Sequence, residues 1–202
     1  FAALFLILDD GTTLLSGAAN ALSVLSLMFA AFVIGSILSQ AAWVLLSVKL
    51  GKLGALILGL SYYILLLFAI FLVFPSTDVT LMALIFVLAG MANGSYQQIP
   101  WAMYPDLMDL TRHQSGEAIE GTFSAIWLFG QKVANALAPM ALALILGIYD
   151  WKEPSQGKVE QTADAIQALQ VSVTMIPAAV LMLAILGLLF IYRPAAPLAS
   201  QN

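Results

Sequence analysis

From Leu14 to Val48 no charged side chain interrupts the chain. About 20 consecutive apolar residues suffice to cross the hydrocarbon of a bilayer. Within lipid, every backbone N–H and C=O must be satisfied by the protein itself, and a helix does this inside one segment. Four more apolar runs follow. Spans are predicted over residues 14–48, 53–74, 79–104, 122–149 and 165–192. The first is long enough to call for a break or a tilt. Lys49-Leu50-Gly51-Lys52 and Pro75-Ser76-Thr77-Asp78 punctuate the early spans, and polar stretches follow at Pro105–Gly121 and Asp150–Asp164. Phe1–Leu8 is apolar but too short to cross, so residues 1–13 are read as a stub and a turn, and 193–202 as a tail. The fold class expected is all-α, a polytopic membrane helix bundle of about five transmembrane helices.

Composition agrees. The 202 residues are 62% hydrophobic and 9% charged, against about 25% charged in a soluble domain. Such a chain could not cover itself with polar surface, and membrane lipid is its expected surroundings. A net charge of −4 offers no basic footprint for nucleic acid. With 0 cysteines, disulfides, thiolate metal sites and cysteine nucleophiles are excluded. No Ser-His-Asp arrangement, phosphate-binding loop or dinucleotide fingerprint is found. The chain is therefore expected to be no enzyme, and to hold neither cofactor nor metal. It opens on FAALFLIL, with neither a basic leader region nor an initiating methionine, and reads as part of something longer.

Loops alternate sides, so charge can be counted by side. Lys49, Lys52, Arg112 and Arg193 fall on one side, Lys152 and Lys158 on the other. By the positive-inside rule the first side is cytoplasmic, which places the tail and the Pro105–Gly121 stretch inside the cell. In the first span Ala31, Gly35 and Ser39 form a small-residue stripe, the pattern that lets another helix approach closely. Asn93-Gly94-Ser95 matches a glycosylation triplet but lies within an apolar span, and is discarded.

Polar residues at membrane depth carry the functional signal. Lys132 lies about ten residues inside the fourth span, roughly 15 Å deep, where a lysine costs about 2.5–3.5 kcal/mol on insertion scales. Ser124, Gln131, Asn135 and Lys132 share an arc of roughly 100° on that helix. On the third span Asn93, Gln97, Pro100 and Tyr104 line one face, with Ser95, Gln98 and Trp101 beside it. Two polar helix faces with Tyr96, Trp101 and Trp127 nearby form a wall suited to a polar solute. The amides admit a second reading, as glue between helices. Lys132 is read as functional, because intramembrane ionisable residues mark pathways and relays. Asp106, Asp109, Glu117 and Glu120, with Arg112 and His113 among them, lack metal-ligand spacing and read as an ion-pair network at a helix mouth.

The run GMANGSYQQIPWAMYPDLMDL, followed by SGEAIEGTFSAIWLFGQKVANALAP, resembles the glycoside–pentoside–hexuronide:cation symporters, the melibiose-permease-like branch of the major facilitator superfamily. Pro100, Met103, Asp106 and Asp109 match the family's pattern at the end of helix ten. Ser115-Gly116, Glu120-Gly121 and Phe123-Ser124 match the elements after it. Lys132 with Ala134 matches the intramembrane lysine of helix eleven, and Gly51-Lys52 the pair after helix eight. The resemblance runs from about Ala21 to Arg193. The chain departs from it at Leu110, where an aromatic residue is frequent, and at Ala118, where an arginine is usual.

The resemblance implies that residues 1–202 are the carboxyl-terminal half of a twelve-helix transporter, supplying helices eight to twelve in a multi-pass cell membrane protein, bacterial inner membrane, with a cytoplasmic carboxyl terminus. It implies a symporter for a small sugar or glycoside, coupled to Na⁺ or H⁺ and working by alternating access. Its partner is an amino-terminal six-helix half that carries the cation-binding carboxylates, toward which Lys132 reaches. Lys132, Gln131, Asn135, Trp127, Gln97 and Trp101 are then the substrate and cation pathway. Asp106, Asp109, Arg112, Glu120, Gly121 and Lys52 are the cytoplasmic gate or latch. The alternatives are a related transporter for a lysolipid or other amphiphile, and a non-transporting membrane scaffold or fragment.

Overall fold

Hydrogen-bond demand in lipid makes apolar segments helical, and the computed structural model of the chain follows it. The structure describes residues 14–74, 79–115, 120–152 and 161–190, with side chains for 26–74, 79–112, 121–152 and 161–190. Among the described residues there are four helices: α1 (Leu14–Val73), α2 (Val79–Ser115), α3 (Glu120–Ile148) and α4 (Ala163–Phe190). Each is long and apolar enough to cross a membrane. The stub at 1–13, the turn at 75–78, Gly116 to Ala118, Lys158 and the tail with Arg193 lie outside the described residues.

The spans expected at 14–48 and 53–74 both fall within α1, with no loop between them. Helical geometry fails only at Gly51, with φ 75° and ψ 158°, a region essentially confined to glycine. There the chain doubles back. Trp43 packs with Ala55, Leu56 and Leu60, and its ring lies 3.5 Å from where a Cβ on Gly59 would sit. In a straight helix those residues would be roughly 24 Å apart. α1 is therefore two arms side by side, α1a (14–50) and α1b (52–73).

The third span is expected to end at Tyr104, with a polar loop beginning at Pro105. Instead α2 continues through Pro100 and Pro105 to Ser115. Hydropathy marks where lipid ends, and the backbone does not have to stop there. At 1.5 Å per residue its 37 residues span about 55 Å, well beyond a hydrocarbon core of about 30 Å. A helix of that length cannot lie wholly within the hydrocarbon.

Small residues fix how α1a meets α2. A Cβ on Gly35 would drive into the Val87 carbonyl, and one on Gly90 into the Phe32 carbonyl, so the two backbones touch. Ala31 and Ser39, which complete the stripe, are buried. Side chains then stitch the contact. Trp43 Nε1 donates to the Met91 carbonyl at 2.8 Å and Ser39 Oγ to the same oxygen at 3.3 Å. Asn93 Nδ2 donates to Ser36 Oγ at 3.3 Å. Ser95 is fully buried against Gly59, which bears out setting the glycosylation triplet aside.

α4 lies along α1b. Leu181, Ile185 and Leu188 extend the core built on Trp43, Leu60, Ile99 and Met103, and Ala178 packs with Ile64 and Leu67. Gln170 Nε2 donates to the carbonyls of Phe71 and Phe74 at 2.6 and 2.9 Å. It satisfies acceptors that the end of α1b leaves open. Thr162 caps α4 through the Ala165 N–H at 3.2 Å. α3 packs against α4, yet between Gly121 and Ile148 no residue is buried.

Candidate functional site

Aromatic rings join α3 to α2. Trp101 meets Trp127 with ring centroids 5.8 Å apart, and Tyr104 meets Trp127 at 5.4 Å and Phe123 at 5.8 Å. Trp101 and Tyr104 also touch each other at 6.2 Å. Edge-on and tilted contacts of this kind exceed plain area burial by about 0.5–1.5 kcal/mol each. At the centre Tyr104 OH donates to Ser124 Oγ at 2.7 Å. As residue numbers fall along α2 from Tyr104 to Trp101, those of their partners rise from Ser124 to Trp127, so the helices run antiparallel.

That register positions the amides. One helical turn beyond Trp101 on α2 is Gln97, and one turn beyond Trp127 on α3 is Gln131, at the same level. A further turn along each helix gives Asn93 and Asn135. Gln97, Gln131 and Asn135 are exposed, and none has a hydrogen-bond partner among the described residues. Asn93 differs, being spent on Ser36. Along the two helices the rings therefore lie at one level, with Gln97, Gln131 and Asn135 one to two turns beyond it. Amides both donate and accept, which suits hydroxyl-rich solutes.

Around α3, at about 100° per residue, Gln131 and Asn135 lie about 20° to either side of Ser124, the residue that faces α2. Lys132 lies about 80° away from Ser124 and roughly 140° from Trp127. It is exposed, and nothing among the described residues pairs with it. Trp127 and Lys132 thus point in different directions, and the six residues of the expected pathway do not share one face. Trp127 packs with Trp101, Gln131 and Asn135 lie on the side of α3 that faces α2, and Lys132 points to the side of it.

Of the expected latch, the structure brings together Lys52 and Asp106. Lys52 Nζ lies 2.5 Å from Asp106 Oδ2 and donates to the Ala102 carbonyl at 2.9 Å. The pair ties the start of α1b to the carboxyl-terminal end of α2. Asp109 and Arg112 are exposed on that same end. A Cβ at Gly121 would meet open space, and the side chain of Glu120 lies outside the described residues.

Two features escape sequence reasoning. The Tyr104–Ser124 bond joins residues on separate predicted spans, and only the antiparallel register reveals it. Among the described residues Trp127 Nε1 and Gln98 Oε1 are buried with no hydrogen-bond partner, which no sequence pattern signals.

Comparison with known proteins gives one match. A family model described as MFS/sugar transport protein matches residues 15–193. No curated protein matches, and no solved structure does.

Proposed function

The chain belongs to the MFS/sugar transport protein family, a family of transporters and not of enzymes, and on that premise we propose that it forms the carboxyl-terminal half of a cation-coupled sugar or glycoside symporter. In this reading α1a, α1b, α2, α3 and α4 are helices eight to twelve of a twelve-helix protein. It lies in a bacterial inner membrane with its carboxyl terminus in the cytoplasm. An amino-terminal six-helix half carries the carboxylates that bind Na⁺ or H⁺, and the two halves rock about a site between them.

One observation carries the reading. Lys132 is exposed at membrane depth, unpaired among the described residues, and directed to the side of α2, on the same helix as the free amides Gln131 and Asn135. A cation so placed is stable only beside water or an anion, since lipid disfavours it by about 2.5–3.5 kcal/mol. Carboxylates on the opposing half meet that need. They also give coupling a physical basis, because a bound cation and Lys132 compete for the same negative charge. Gln97, Gln131 and Asn135 then hydrogen-bond sugar hydroxyls, and Trp101 offers an aromatic surface to the ring. Lys52 and Asp106, with Asp109, Arg112 and Glu120 nearby in sequence, form the latch at the cytoplasmic end.

Uptake by the full-length protein in vesicles tests this. Lys132→Ala is expected to reduce ion-driven sugar uptake by about 100-fold, a loss of about 3 kcal/mol at the site, and Lys132→Arg to retain part of it. Undiminished coupled uptake in Lys132→Ala removes the role assigned here. Competition by lysolipids, with none by sugars, would replace the substrate class.

A further inference from the structure

The ring cluster between α2 and α3 has a property that ordinary helix packing lacks. The contacts that favour the packed rings and the group that disfavours them can each be changed alone. Ring contacts among Trp101, Tyr104, Phe123 and Trp127, and the Tyr104–Ser124 bond at 2.7 Å, hold the rings together. Against them stands the indole N–H of Trp127, buried without an acceptor among the described residues. An unsatisfied buried donor disfavours the state that buries it by about tenfold or more in population.

Beyond the cluster no residue from Gly121 to Ile148 is buried; α3 also packs against α4, and parting from α2 leaves that contact in place. The cluster also sits at a defined end of the molecule, near the pair formed by Lys52 and Asp106. From Asp106 to Tyr104 is less than one helical turn, and the exposed amides Gln97 and Gln131 lie on the far side of the rings.

We propose that Trp101, Tyr104, Phe123 and Trp127 form an aromatic gate between α2 and α3, shut in this structure, whose opening swings α3 from α2 and frees the Trp127 N–H for water or a solute hydroxyl. The proposal rests on the reading above only in taking the space between α2 and α3 as part of a solute path. It gives Trp127 a task different from that of Lys132. The tryptophan decides when the end of the path opens, and a solute that can accept its N–H favours the open form. An apolar solute of the same size gains nothing from that donor.

The absence of cysteine from this chain makes the test direct. Gln97→Cys, placed one turn behind the rings, serves as the reporter in the full-length protein, with any cysteines from the rest of that protein replaced. Its labelling by a membrane-impermeant maleimide, applied from the side bearing Lys52 and Asp106, is followed without solute. Trp127→Phe keeps a ring in place but removes the unsatisfied donor, so labelling is expected to slow by about tenfold. Tyr104→Phe removes the bond that holds the gate shut, so labelling is expected to quicken by about fivefold.

Equal rates in Trp127→Phe and its parent overturn the proposal, as do shifts of the two variants in the same direction. Monodisperse elution of each variant checks that the ring replacements have not unfolded it. The outcome is independent of coupling. If Lys132→Ala transports normally while labelling shifts as stated, the gate stands and the lysine's role falls. If Lys132→Ala loses uptake while labelling stays at the parent rate, the lysine's role stands and the gate falls.

Discussion

Replacing Gly90 with alanine probes the packing of α1a on α2 through a single methyl group. The new Cβ would meet the Phe32 carbonyl oxygen, with the carbonyl carbon at 2.8 Å and the Ser36 nitrogen at 2.8 Å. These are backbone atoms, so a rotamer change cannot relieve the clash and the helices must part. Overpacking of this kind costs about 1–3 kcal/mol. Separation also strains three interhelical hydrogen bonds nearby, from Trp43 and Ser39 to the Met91 carbonyl and from Asn93 to Ser36. Such bonds average about 0.6 kcal/mol in a membrane protein. Alanine's better helix propensity offsets about 1 kcal/mol. The net expectation is a loss of about 2–4 kcal/mol, or roughly 5–10 °C in melting temperature for a chain of this size. Thermal unfolding in detergent measures it, with Gly187→Ala as the control because a Cβ there meets nothing within 4 Å. If Gly90→Ala melts at or above the parent, or together with Gly187→Ala, the backbone contact inferred between α1a and α2 is wrong.

Gly51→Ala isolates a different cause, since its Cβ would also meet nothing within 4 Å yet φ is +75°. The expected loss of about 1–3 kcal/mol is purely conformational, and a melting temperature equal to that of Gly54→Ala would refute the hinge. Asp106→Asn should lower stability by no more than about 1 kcal/mol, because both members of its pair with Lys52 are well exposed. That difference should shrink further in about 1 M salt. A loss above roughly 2 kcal/mol, unchanged by salt, would show that the pair is buried in the assembled protein.

Features local to one helix are legible in the sequence, and features set by a neighbour's path are not. The apolar runs locate the helices, Gly51 marks the reversal, and Ala31, Gly35 and Ser39 mark a close contact. Asn93 and Gln97 show where periodicity stops informing. They occupy one stripe of α2, yet Asn93 bonds Ser36 while Gln97 is exposed, although Trp43 of α1a still packs on α2 further along, at Ile99 and Met103. Glue between helices describes Asn93, and a free face describes Gln97. Lys52 and Asp106 are 54 positions apart, and only the doubling back of α1 brings them together. Proximity in sequence groups Trp127 with Lys132. Five residues of helix turn them roughly 140° apart, and the structure shows the tryptophan occupied with α2.

The exposure of α3 decides what surrounds it. Ile126, Phe129, Val133, Leu137, Met140 and Leu144 all lie within about 40° of the direction opposite Ser124, and all are exposed. Acyl chains or an apolar helix can cover that flank at no penalty. The opposite arc cannot be covered in the same way. Gln131, Lys132 and Asn135 would leave a cation and two amides in hydrocarbon, against about 2.5–3.5 kcal/mol for the lysine alone. A helix that needs lipid on one side and excludes it from the other fits only at a boundary between membrane and a hydrated or protein-filled interior. In the proposed gate the rings of Trp101, Tyr104, Phe123 and Trp127 would close one end of that interior. Its size and polarity can therefore be varied independently, the first through the rings and the second through the amides. A transporter needs that separation if selection of a solute and its passage are to be distinct steps.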